Sequence, residues 1–180
     1  FVRFGSAWPT RPAPAFRALS DRFAVAAFCD PSARRAELAA QQWGARSVDG
    51  FRTITECGDI DAILLLSARW YGALPILAAC ETGKAVYCAA SLELTAEEAD
   101  TVQQRVRDAG IAFMAEFPCR LAPATLRLKE LIATRLGPPS LLFCNQRLAL
   151  TRSDAKPQSA NVRQLIEMVD WCRYVIDCEP

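Results

Sequence analysis

The sequence predicts an α/β fold: a doubly wound parallel sheet covered by helices on both faces, followed by the start of an α+β unit. Three observations carry this. Apolar runs of the kind that fill a sheet buried on both faces recur at Phe23–Cys29, Asp61–Ser67 and Ala85–Ala89. Helical stretches lie between them and stop at Gly44, Gly83 and Gly110, and strands alternating with helices at this pitch imply parallel crossovers. With 180 residues, 52% of them apolar and 23% charged, the chain can bury a real core in one domain and begin another.

The elements follow in order. Phe1–Ala7 reads as a short buried strand. Trp8–Pro14 reads as a loop, because Pro9, Pro12 and Pro14 fix φ and lack donors. Ala15–Arg22 can form a short helix. Phe23–Cys29 is a buried strand closed by Asp30-Pro31. Ser32 is placed to cap a helix over Ala33–Trp43, and Ala45–Val48 is a short strand. Thr53–Asp59 is a brief helix, Asp61–Ser67 a strand, Gly72–Thr82 a helix and Ala85–Ala89 a strand. Thr95 opens a helix to Ala109, with Glu97 and Glu98 in its first turn, where the helix dipole favours them. Ile111–Phe117 is a strand, and Leu121–Arg135 an amphipathic helix stopped by Gly137-Pro138-Pro139. Ser140–Leu150 reads as a long strand, Thr151–Ala160 as polar and flexible, and Asn161–Ile176 as a helix.

Composition narrows the function classes. A formal net charge of +1 argues against a nucleic-acid partner. No apolar run approaches the ~20 residues of a membrane span. The chain has no histidine, so imidazole-dependent triads, dyads and zinc sites are excluded. Its eight cysteines form no C-x-x-C pair, which leaves reduced, largely buried thiols in a cytoplasmic protein as the expectation.

In a doubly wound sheet, ligands bind beyond the carboxyl ends of the strands. That places the candidate site at Gly5–Thr10, Asp30, Ser67–Tyr71 and Cys88–Leu92. Within it, Gly5, Ser6, Ala7, Asp30, Ser67, Arg69 and Cys88 are the candidate cofactor-binding residues. Asp30 could accept from a ribose hydroxyl or simply form a strand-end turn. Arg34 and Arg35 could meet a 2′-phosphate or lie solvated on a helix face. Trp8, Trp70 and Tyr71 would fill the cleft or stack on a ring.

Several segments in order resemble the Gfo/Idh/MocA oxidoreductases, the relatives of glucose–fructose oxidoreductase and inositol dehydrogenase. These are "FAVAAFCDP", "GDIDAILLLSA", "AACETGKAVYC", "CRLAPATLRLKELI" with "LGPPSLLF", and "EMVDWCRYVIDCEP". The resemblance implies a Rossmann-type dinucleotide-binding domain over residues 1–118. It also implies a crossover helix and partial substrate domain over 119–180, NAD or NADP as cofactor, and a small sugar-like ligand. It implies an oligomer as well, since an open sheet edge at Ser140–Leu150 would pair with another chain.

The departures from the family are specific. The glycine-rich phosphate loop keeps Gly5 but then runs Ser6-Ala7-Trp8-Pro9-Thr10-Arg11-Pro12. The Thr-Pro-Asn-x-x-His loop falls on Ser67–Gly72, and the Glu-Lys-Pro on Ala89-Ala90-Ser91. The catalytic histidine falls on Glu167, with Asp170 at its acidic partner. Glu167 and Asp170 share one helical face and could act as acid and base, or form an ordinary polar face. Arg120 could touch substrate or tie two domains together. The expected function is therefore a catalytically impaired family member that keeps the fold for binding, regulation or assembly. The alternative is an active NAD(P)-dependent sugar or polyol dehydrogenase with Glu167 in place of the histidine.

Overall fold

The computed structural model describes residues 8, 12–67, 71–89, 92, 94–145 and 157–177. It divides into two units, Phe1–Glu116 and Phe117–Pro180.

Among the described residues the first element is α1 (Pro12–Ala18), the helix expected over Ala15–Arg22 but starting three residues earlier, inside the expected loop. Pro12 and Pro14 stand in the first turn, whose N–H groups have no intrahelical partner, so proline costs nothing there and its fixed φ suits the helix. β1 is Ala27–Phe28 and pairs in parallel with β2 (Arg46–Ser47). The strand is shorter than the apolar run predicts, because β2 offers a partner over two residues only and Phe23 stays 51% exposed. Between them α2 spans Ala33–Trp43, and Gly44 terminates it in the left-handed region at φ 62°, a conformation that a side chain would strain. Ser32 sits at the N-cap but its side chain accepts no capping bond.

α3 is Phe51–Glu56. β3 (Ala62–Leu65), β4 (Ala85–Cys88) and β5 (Phe113–Ala115) then form a parallel three-stranded sheet in that order, with Leu65 opposite Cys88 and Cys88 opposite Ala115. The crossovers are α4 (Leu74–Glu81) and α5 (Ala96–Ala109). A reciprocal capping box opens α5: the Glu98 N–H donates to Thr95 Oγ1, and the Thr95 N–H donates to the Glu98 carboxylate at 2.7 Å.

Side chains alternate across these strands and bury two apolar layers. Ala27, Cys29, Ile63, Leu65, Val86 and Cys88 face one, shared with Ile54, Ile76, Ala79 and Val102. Phe28, Leu64 and Leu66 face the other, with Trp8, Ala13, Ala39, Ala40 and Trp43. A sheet covered on both faces by helices is the doubly wound arrangement. The predicted strand at Phe1–Ala7 lies outside the described residues.

In the second unit a 3₁₀ turn (Pro118–Leu121) leads into α6 (Pro123–Leu131), which widens into a π turn (Ile132–Leu136) before Gly137. Residues 141–145 are irregular rather than the start of the predicted long strand. No strand pairs with them among the described residues, and an unpaired strand leaves its backbone groups unsatisfied except by water. The sheet edge from which an oligomer is expected is thus not formed over these residues. α7 runs from Pro157 to Ile176. No helix among the described residues is long and apolar enough to cross a membrane.

Candidate functional site

Asp30, Ser67 and Cys88 all stand at carboxyl ends of the parallel strands β1, β3 and β4. Gly5, Ser6, Ala7 and Arg69 lie outside the described residues, as do Trp70 and Ala90. Cys88 is 3% exposed and packs in the core, so its thiol faces the interior. Burial likewise raises the pKa of the neighbouring core thiol Cys29. Trp8 is a core residue too, with its ring 5.5 Å from both Phe28 and Trp43. Tyr71 packs edge-on against Phe51 at 5.0 Å. Neither ring is left to fill a cleft.

Asp30 is the best-defined member of this end. It is 5% exposed. Its Oδ1 accepts from the Ser32 N–H at 2.9 Å, and from Arg35 Nε at 3.1 Å and Nη2 at 2.7 Å. The strand-end turn is therefore present: a short carboxylate accepting two residues on, with Pro31 between. At the helix start the Arg35 N–H donates to the Ser32 backbone carbonyl at 2.9 Å rather than to its side chain. The other Asp30 oxygen, Oδ2, is buried and has no partner among the described residues, and an unpaired buried carboxylate oxygen is costly. Such an oxygen at the end of the second strand of a dinucleotide fold fits the acceptor for a ribose hydroxyl. Arg35 was legible only as one of two helix-face arginines. Its place in the first turn of α2 is what lets it reach back to Asp30.

Lys84, directly before β4, is turned inward. It is 8% exposed, and its Nζ donates to the carbonyls of Cys57 at 2.7 Å and Ile60 at 2.5 Å. It serves the end of α3 and the start of β3, remote from the strand ends.

In the second unit the proposed carboxylate pair divides. Asp170 is taken by Arg120, whose Nε donates at 2.8 Å to Oδ2 and whose Nη2 donates to Oδ1. This bidentate pair raises the pKa of the guanidinium. Arg120 also lies 5.1 Å from the ring of Phe117 and 5.4 Å from that of Tyr174. Glu167 accepts from Arg163 Nε at 2.9 Å, one helical turn away. It also lines an open cavity of about 420 Å³ with Cys119, Thr125, Cys144, Asn145 and Trp171. Trp171 Nε1 donates to the buried Thr125 Oγ1 at 2.9 Å, which holds one wall in place. Sequence reasoning missed this cavity, because its lining comes from three separate segments. Among the described residues no cluster of His, Cys, Asp or Glu could hold a metal ion.

Comparison with known proteins matches this architecture. The sequence model of the Gfo/Idh/MocA group, described as an oxidoreductase family with an NAD-binding Rossmann fold, matches residues 4–117. Dehydrogenase aclE of Aspergillus oryzae is 27% identical over 156 residues, which covers 80% of this chain and 43% of that protein. Inositol 2-dehydrogenase 3 of Saccharopolyspora erythraea is 27% identical over 157 residues, covering 86% and 46%. The crystal structure of an NAD binding oxidoreductase from Klebsiella pneumoniae superimposes with a TM-score of 0.58 at 28% identity, covering 68% of this chain and 33% of that one. The chain spans less than half the length of the curated relatives it matches. With the family match extending over the whole of the α/β unit, from residue 4 to residue 117, the chain belongs to the Gfo/Idh/MocA oxidoreductases and carries their Rossmann fold.

Proposed function

We propose that this chain keeps the dinucleotide-binding role of its family while its hydride-transfer chemistry is impaired. Asp30 would hold the adenosine ribose through Oδ2, a buried carboxylate oxygen that has no hydrogen-bond partner among the described residues. Bound there, a nicotinamide dinucleotide would supply a hydride acceptor. The chain's own residues would have to supply the base that takes the hydroxyl proton.

The observation that carries the impairment is that both candidate carboxylates are already in ion pairs. Asp170 is locked in two bonds to Arg120, and Glu167 is held by Arg163. A carboxylate oxygen that already accepts from a guanidinium is not free to take a substrate hydroxyl's proton. In sequence, Ala90 stands at the family's Glu-Lys-Pro lysine and Gly72 at the histidine of its Thr-Pro-Asn-x-x-His loop, and neither can move a proton. This leaves binding, regulation or assembly as the chain's use of the fold.

One observation favours the alternative of an active sugar or polyol dehydrogenase. Glu167 lines a cavity large enough for a small polyol, together with the polar groups of Thr125 and Asn145. Calorimetric titration with NAD and NADP, paired with a nicotinamide absorbance assay on inositol and simple sugars, separates the readings. The expected outcome is binding of the dinucleotide, weakened at least about tenfold by Asp30→Ala, with no turnover. Turnover that disappears in Glu167→Gln would establish the dehydrogenase instead. Absence of dinucleotide binding by folded protein would remove both.

A further inference from the structure

Two thiols meet beside the cavity of the second unit. Cys144, in the irregular stretch 141–145, and Cys172, on α7, have their sulfurs 3.3 Å apart although 28 residues separate them in sequence. Neither is in a disulfide. Both are half-buried. Cys144 itself lines the cavity, and Cys172 adjoins Trp171, which lines it too.

We propose that Cys144 and Cys172 are a redox site: a low-molecular-weight disulfide such as oxidised glutathione converts them to a reversible internal disulfide that fixes the cavity wall. An S–S bond is about 2.0 Å long, so closure asks for a movement of a little over 1 Å between sulfurs already in contact. The irregular 141–145 backbone carries no strand pairing among the described residues, so a movement of that size breaks no sheet bond there. By contrast Cys29 and Cys88 are buried in the core of the first unit. Cys119 is exposed at the cavity's edge.

The chemistry balances as ordinary thiol–disulfide exchange. The first protein thiolate attacks one sulfur of the oxidant, whose S–S bond breaks and releases one small thiol. The second protein thiolate attacks the sulfur now attached to the chain, forming the internal S–S bond and releasing the second small thiol. The two cysteines lose two electrons and two protons, and the oxidant gains both. Burial and the hydrogen bond with Cys144 raise the pKa of Cys172. Cys144, which lines the open cavity, meets the oxidant first, and Cys172 closes the bond.

Trypsin makes the test unambiguous. Cys144 falls in the peptide 136–147 and Cys172 in 164–173, each with a single cysteine, while Cys119 falls in 108–120. Folded chain is equilibrated with oxidised glutathione, quenched in acid, alkylated, digested and read by mass spectrometry. The expected product is 136–147 linked to 164–173, at a yield at least about tenfold above that of guanidinium-unfolded chain under the same oxidant. Amide exchange in 141–145 should slow about tenfold on oxidation and recover with dithiothreitol. Separate glutathione adducts on Cys144 and Cys172, or free thiols at both, would overturn the site. So would equal linkage in the unfolded chain. Linkage without slower exchange would overturn its hold on the cavity wall.

Discussion

At the scale of single residues, buried charge decides most of what is unusual here. Lys84 is spent inside the molecule. The residue is 8% exposed, and its ammonium stands between two carbonyls, those of Cys57 and Ile60. Bonds from a charged donor to backbone carbonyls are stronger than neutral ones, and removing the donor strands two acceptors. Lys84→Met keeps the stem and deletes only the charge. We expect it to lower the stability of the first unit by about 2 kcal/mol, read as a shifted urea midpoint at constant slope. An unchanged midpoint would show that water satisfies both carbonyls once the ammonium is gone. Asp30 is the counter-case. One oxygen is fully engaged by Ser32 and Arg35 and the other is buried and unpaired among the described residues. The sequence singles out Asp30 by its place after a buried strand, but could not show that Arg35 would already be paired with it.

At the scale of elements, local signals were read well and non-local ones poorly. α2 and α5 have the ends that the sequence predicts, because Gly44, Gly110 and the Thr95–Glu98 box are punctuation written within a few residues of the ends they set. β1 and the stretch 141–145 differ from prediction because a strand's length depends on its partner, and β2 offers only two residues. The α5 box also carries a pH dependence. Bonds from the Thr95 backbone N–H, then its hydroxyl, hold the Glu98 pKa below the usual glutamate value. A depressed folded pKa means that the contribution is complete above the unfolded value of about 4.3 and is lost as pH falls through the folded one. The Thr95 amide should therefore lose exchange protection on acidification over that window. Glu98→Gln removes the titrating group and should abolish the pH dependence. A protection profile that is the same in both proteins would exclude the box as its cause.

At the scale of the whole molecule, the two units are held by different means. The first buries contiguous apolar layers on both faces of its strands. In the second, among the described residues, only Thr125 and Val175 are buried, while Leu121, Leu136, Leu141, Phe143 and Leu165 remain exposed. What fastens α7 to the segments before it is polar: Arg120 to Asp170, Trp171 to Thr125, and Lys129 Nζ to the Tyr174 carbonyl at 2.9 Å. This was illegible in the sequence, where Asp170 reads as half of an acid–base pair, because spacing along one helix says nothing of a partner 50 residues away. A unit held by a few such ties should open before one held by apolar burial. Asp170→Ala removes the bidentate partner. Arg120 is 42% exposed on its side chain and keeps its two aromatic neighbours, so the loss is moderated by solvent. We expect amide protection within 117–131 and 164–173 to fall about tenfold, equivalent to roughly 1.4 kcal/mol. Over Ala62–Leu65 and Ala85–Cys88 it should stay unchanged. An equal loss in both units would mean that they open together, and that the apolar layers of the first unit also govern the second.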